Sequence, residues 1–103
     1  MKKATVFVDG ILAGNLEEIE RGKSYRFIYL EGYMGEAVSL EMPLTKRLYE
    51  YDRFPPFFEG LLPEGMMLDG LLRYAKVDRD DLLSQLIVVG EDLVGNVTVE
   101  GAE

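Results

Sequence analysis

The sequence lacks histidine, cysteine and tryptophan. Without histidine and cysteine it has no Ser-His-Asp triad, thiol nucleophile, disulfide or conventional zinc site. It also has no signal segment and no run of about 20 apolar residues, so nothing supports a secreted or membrane-spanning protein. We therefore expect a cytoplasmic protein without a metal, a cofactor or a membrane partner.

Positive charge is scarce. Eleven Lys and Arg stand against nineteen Asp and Glu, and the net charge is -8. Because nucleic acid is bound by clustered Lys and Arg, we expect no direct contact with it. The imbalance lies in the second half: residues 1–50 carry eight acids and seven bases, whereas residues 51–103 carry eleven and four. Such an acidic half suits docking on a basic partner surface.

The length allows one hydrophobic core, and we predict a complete small protein with a single domain over residues 1–103. Strand patterns come first, helical patterns follow, and one strand pattern returns at the end. This order predicts an α+β fold, in which about three helices pack on a mostly antiparallel sheet made of an N-terminal meander and a C-terminal strand.

Runs of β-branched and aromatic residues predict the strands, and Asp9-Gly10 predicts a two-residue hairpin turn. Gly14 indicates either a bulge or an early end of the second strand, with a polar connection from Glu17 onward. Tyr25, Phe27 and Tyr29 are expected on one face of the third strand. The predicted strands cover residues 4–8, 11–16, 24–30, 38–42 and 97–99.

Apolar residues at helical spacing predict three helices after Pro43. Asp78 is expected to cap the third of them. The predicted buried stripes are Phe54, Phe57, Phe58, Leu61 and Leu62 in the first helix, Leu68, Leu71, Leu72 and Ala75 in the second, and Leu82, Leu83 and Leu86 in the third.

Carboxylates are the only abundant catalytic group. Two carboxylates can act as general acid and base only if the pKa of one is raised and the fold sets a suitable distance between them. Most Asp and Glu residues here fall at turns, caps or outward strand positions, so we interpret them as solvated surface. Asp78, Asp80 and Asp81 lack the glycine and the distant Glu of a calcium loop. We predict a protein that is not an enzyme; a small carboxylate hydrolase is an alternative, and it would show turnover by the protein alone.

The segment between the first two predicted helices carries two methionines in a turn. Either both side chains pack inside, or one packs in the core while the other is an exposed, adaptable anchor for a partner pocket. We place a partner-binding site here, with Met66 as its anchor. The predicted site consists of Leu62, Pro63, Glu64, Gly65, Met66 and Met67.

Four stretches in this order resemble the N-terminal subdomain of HipA-type kinases. They are Ser39-Leu40 with Pro43-Leu44, Phe57-Phe58 with Leu61-Leu62-Pro63, the segment from Asp81 to Ser84, and Gly90-Glu91-Asp92 with Gly95 and Val97. The sequence departs from the family at Asn96, where alanine is usual. It also lacks the long catalytic portion, so kinase activity is not carried over.

The resemblance implies a stand-alone form of the subdomain, similar to the HipS component of tripartite HipBST toxin–antitoxin systems. The implied partners are a HipT-like Ser/Thr kinase and a HipB-like helix-turn-helix protein. The implied function is that of an antitoxin that binds the kinase and neutralises it. Our own hypothesis places residues 62–67 nearest the active-site cleft of the kinase. The alternative is a scaffold or co-repressor that bridges kinase and DNA-binding protein without inhibiting the kinase.

Overall fold

The computed structural model describes residues 2–93 and 95–102. Its described part is an α+β fold with one antiparallel sheet, as predicted, in the strand order β4-β3-β2-β1-β5. The strands are β1 (Lys2–Val8), β2 (Ile11–Glu20), β3 (Ser24–Tyr29), β4 (Leu48–Tyr51) and β5 (Val97–Gly101). The helices are α1 (Pro56–Glu59), α2 (Gly65–Ala75) and α3 (Leu82–Val89).

The hairpin between β1 and β2 turns where the sequence predicts it. Asp9 and Gly10 have φ angles of 53° and 79°. Two successive positive φ angles are the signature of the type I′ turn, whose twist matches that of the flanking strands. A local pair of residues therefore determines the first chain reversal.

Gly14 marks a bulge and not the end of β2. The register between β1 and β2 shifts so that Ala13 is the extra residue. A Cβ atom at Gly14 would lie 2.3 Å from the carbonyl oxygen of Ile28, so only glycine fits between the strands. The strand then continues to Glu20, and the predicted polar connection from Glu17 is wrong.

Two of the three acidic residues of β2, Glu17 and Glu18, are buried, and both have partners. Arg26 on β3 donates to Glu17 with an Nη2–Oε1 distance of 2.6 Å. Glu18 accepts from the backbone N–H of Gly22 at 3.0 Å and from the hydroxyl of Tyr25 at 3.3 Å. A buried carboxylate with such bonds is tolerated in a strand.

The predicted strand over residues 38–42 is wrong, and β4 is a strand that the sequence analysis missed. Residues 30–47 form a long connection, held by the buried hydroxyl of Tyr29. This hydroxyl donates to the carbonyl oxygen of Met42 at 2.6 Å and accepts from the N–H of Val38 at 2.8 Å. Val38 and Met42 are buried, whereas Leu40 at the tip of the connection is 99% exposed.

The helices differ from the predicted helices in length and in the residue that caps α3. α1 is a single turn, in which Phe58 is buried. Asp81, and not Asp78, caps α3, because its carboxylate accepts from the N–H of Ser84 at 3.2 Å. Leu83 and Leu86 are buried as predicted.

The core lies on one face of the sheet, under α1, α3 and the long connection. Tyr25, Phe27 and Tyr29 of β3 all point into it, as predicted. The other apolar residues of the core include Ala4, Val6, Val8, Ala13, Leu16, Val38, Met42, Phe54, Phe58, Leu83, Leu86, Val97 and Val99. α2 supplies none of these buried side chains.

Candidate partner-docking surface

The predicted site lies where the α1–α2 link ends and α2 begins. Residues 62–64 belong to the link, whereas Gly65, Met66 and Met67 form the first turn of α2. We call residues 62–67 the 62–67 turn. Leu62 and Pro63 are half-buried, whereas Glu64 and Gly65 are exposed. Gly65 has a φ of 60°, a left-handed conformation that favours glycine.

Both methionines of this turn are exposed. The exposed fraction is 89% for Met66 and 76% for Met67. The expectations that both pack inside, or that one packs in the core, are both wrong. The reason is that α2 lies outside the core: none of its eleven described residues is buried.

A cleft of about 510 Å³, which the sequence analysis missed, opens beside the turn. We call it the α2 cleft. The helical pattern predicts Leu71 in a buried stripe, and no local pattern shows that it lines a cleft together with Leu93. Its apolar walls come from the α1–α2 link, from α2 and from the segment after α3, and include Leu61, Pro63, Met67, Leu71, Tyr74 and Leu93.

The surroundings of the α2 cleft are acidic. Asp92 lies in its wall, and Glu64 is the chain neighbour of the wall residue Pro63. Among the described residues, neither of these two carboxylates forms an ion pair. The cleft thus combines apolar walls with negative charges that are free to meet a cation.

α2 is tethered to the following segment by one surface ion pair. Asp69 accepts from Arg79 with an Oδ1–Nη2 distance of 2.7 Å, and both side chains are more than half exposed. Such an exposed pair contributes only about 0.2–1 kcal/mol. The helix is therefore held on the domain by few interactions.

A polar cluster joins the start of β1 to the start of α3. Lys2 donates to Asp81 at 3.0 Å and also contacts the hydroxyl of Ser84. Burial opposes ionisation of Asp81, but hydrogen bonds from Lys2 and Ser84 outweigh it, so the pKa of Asp81 lies below its ordinary value. A general acid needs the opposite shift, so we interpret the cluster as a structural tie.

Nearby, burial and the charge of Glu18 raise the pKa of Tyr25 to about 12. This hydroxyl stays protonated at neutral pH and donates to Glu18 inside the domain. Within residues 2–93 and 95–102, no group of three acidic side chains is arranged to hold a metal ion. No helix in the same ranges is long and apolar enough to cross a bilayer.

Comparison with known proteins shows the family of this chain. The profile of the HipA N-terminal domain matches residues 4–100. The chain belongs to the HipA N-terminal domain family. That domain is the part of HipA outside the kinase portion. The family motif around Gly90 includes Val94, which lies outside the described residues.

Two relatives of this family member span almost the same length. An uncharacterized protein of Haemophilus influenzae is 29% identical over 100 residues, which make up 97% of this chain and 92% of that protein. A solved structure of the N-terminal domain of HipA toxin matches with a TM-score of 0.77 and 28% identity, covering 100% of this chain and 94% of that one. The likeness therefore covers the whole fold.

Proposed function

We propose that the protein is a non-catalytic antitoxin that binds and neutralises a separate HipT-like Ser/Thr kinase toxin. The observation that carries the proposal is the exposed turn of Met66 and Met67 on a HipA N-terminal domain. The Haemophilus relative supports it, since the matched region fills 92% of that protein and leaves little room for a kinase portion. A domain of this kind acts by binding a kinase on another chain.

Met66 is the proposed anchor. Its side chain is unbranched and polarizable, so it adapts to the shape of an apolar pocket. Its solvent-exposed fraction of 89% means that almost its entire surface is available for burial against a partner. Its exposure therefore suits insertion into an apolar pocket of the kinase.

The test uses a HipT-like kinase from a neighbouring reading frame, assayed with and without this protein. We expect the wild type to suppress phosphorylation and to rescue growth of cells that express the kinase. Met66→Ala should weaken both effects without changing the unfolding midpoint. Met34→Ala is the matched control, because Met34 is 90% exposed but lies in the 30–47 connection.

Each outcome has a definite meaning. Binding without inhibition favours the alternative of a scaffold or co-repressor that bridges the kinase and a HipB-like protein. Unchanged rescue by Met66→Ala would contradict the role of the turn. Absence of any binding to the kinase would contradict the proposed function itself.

A further inference from the structure

We infer that the α2 cleft receives an amphipathic, basic segment of the partner kinase chain. This inference rests on the proposed function, but it concerns a different contact. The 62–67 turn enters the partner, whereas the cleft accepts part of the partner. The two contacts lie side by side because Pro63 and Met67 belong to both.

α2 has an apolar face that the described part of the domain does not bury. It has eleven residues, none of them buried, although Leu68, Leu71 and Leu72 are apolar. Isolated helices shorter than about 12–15 residues are marginal in water, and most helices gain their stability from packing an apolar face. α2 therefore presents an apolar surface that is incompletely covered within the described part of the chain.

The ends of α2 add little to its stability. Glu64 at the N-cap makes no side-chain capping bond. At the other end, Lys76 adopts the left-handed conformation with a φ of 58°, where glycine is usual. A partner that packs on α2 would supply the stabilisation that capping does not.

The shape and chemistry of the α2 cleft suit the apolar side chains of a partner helix. Its volume of about 510 Å³ has room for several side chains. Tyr74, which is 90% exposed, forms part of its wall together with Leu71 and Leu93. Amphipathic helices bind such apolar grooves through side chains at i, i+3, i+4 and i+7.

Charge indicates which occupant the α2 cleft accepts. A second copy of this chain would bring a second net charge of -8, which opposes self-association. Asp92 in the wall, with Glu64 next to the wall residue Pro63, instead favours Lys or Arg beside the apolar anchors. One cation, Arg73, lies next to the wall residue Tyr74 and leaves the acidic side chains in excess.

The apolar arm of the test compares two exposed side chains. Tyr74→Ala removes a wall of the cleft outside the 62–67 turn, and we expect the Kd for the purified kinase to rise about tenfold or more. Leu40→Ala, at a side chain that is 99% exposed in the 30–47 connection, should leave the Kd unchanged. Circular dichroism and thermal unfolding check that both variants fold.

The charge arm uses two substitutions with the same change in net charge. Asp92→Lys should slow association about tenfold and flatten its dependence on salt, whereas Glu31→Lys should leave both near wild type. Hydrogen exchange should show that the amides of α2 gain protection when the kinase binds.

The outcomes separate this inference from the proposed function. If Tyr74→Ala and Asp92→Lys bind the kinase as the wild type does while Met66→Ala loses inhibition, the cleft inference is wrong and the antitoxin function stands. If the wild type binds no kinase, both are wrong. If sedimentation shows a dimer that Tyr74→Ala dissociates, a second copy occupies the cleft and the inference is overturned.

Discussion

Gly90, the residue that follows α3, lies directly against the backbone of Val99 in β5. The N–H of Val99 donates to the carbonyl oxygen of Gly90 at 3.0 Å. A Cβ atom at Gly90 would lie 1.9 Å from the carbonyl oxygen of Val99. This close approach holds the segment after α3 against β5, the edge strand of the sheet. The same segment contains Asp92 and Leu93 and forms one wall of the α2 cleft.

Gly90→Ala should therefore destabilise the fold. Its φ of -56° is ordinary, so the cost comes from the steric overlap and not from the backbone angle. We expect the free energy of unfolding in urea to fall by at least about 2 kcal/mol. Gly60→Ala is the control: its φ is -65° and its Cβ would meet neighbours at 3.5 Å, an ordinary contact. Equal stability of the two variants would contradict the close approach of Gly90 to Val99.

Tyr29→Phe should destabilise the 30–47 connection. It leaves the N–H of Val38 and the carbonyl oxygen of Met42 without their buried partner. We expect a loss of about 2–4 kcal/mol in the free energy of unfolding, because each unsatisfied group costs about 1–3 kcal/mol. Tyr33→Phe removes an exposed hydrogen bond to the carbonyl oxygen of Glu36. It should therefore lower the free energy of unfolding only slightly. A wild-type unfolding midpoint for Tyr29→Phe would count against this anchoring.

Asp81 should make stability depend on pH in the acid range. Hydrogen bonds from Lys2 and Ser84 lower its pKa in the folded state below the value in the unfolded chain. Its contribution is therefore complete above the unfolded pKa and is lost as the pH falls through the folded pKa. We expect Asp81→Asn to lose more stability at pH 7 than at pH 2, measured by urea unfolding. An equal loss of stability at pH 7 and at pH 2 would contradict this role of Asp81.

Gly70→Ala should stabilise α2. Gly70 lies inside the helix, and an added Cβ would meet open space. Alanine in place of glycine within a helix is more favourable by about 0.5–1 kcal/mol. Slower hydrogen exchange in α2 would show the gain. Gly65→Ala should have the opposite effect, because Gly65 has a φ of 60°. If the amides of α2 exchange faster in Gly70→Ala than in the wild type, the space beside Gly70 is not open.

Short-range patterns predicted a large part of the fold correctly. The Asp9-Gly10 turn, the inward face of β3 and the buried Leu83 and Leu86 all follow from interactions between residues close in the chain. The break between the first two helices was predicted in the same way, but Met66 and Met67 lie in the first turn of α2 and not between the helices. The family motifs likewise indicated the family to which the chain belongs.

Other features depended on competition between distant segments. Residues 38–42 alternate as a strand does, but β3 pairs with Leu48–Tyr51, and the hydroxyl of Tyr29 holds the alternating segment in a connection. Asp81 caps α3 through the N–H of Ser84, and Lys2, from the other end of the chain, pairs with the same carboxylate. Neither partner can be identified from the local pattern.

The sequence by itself determined the chemistry that is absent, the acidic second half, the α+β class and the family resemblance, because these depend on composition, periodicity and motif order. Only the tertiary structure decided that the leucine stripe of α2 stays outside the core. The periodic pattern says that a helix has an apolar face, but not whether the sheet still has room for it. Here α1, α3 and the long connection cover the sheet, so α2 and its cleft are left at the surface.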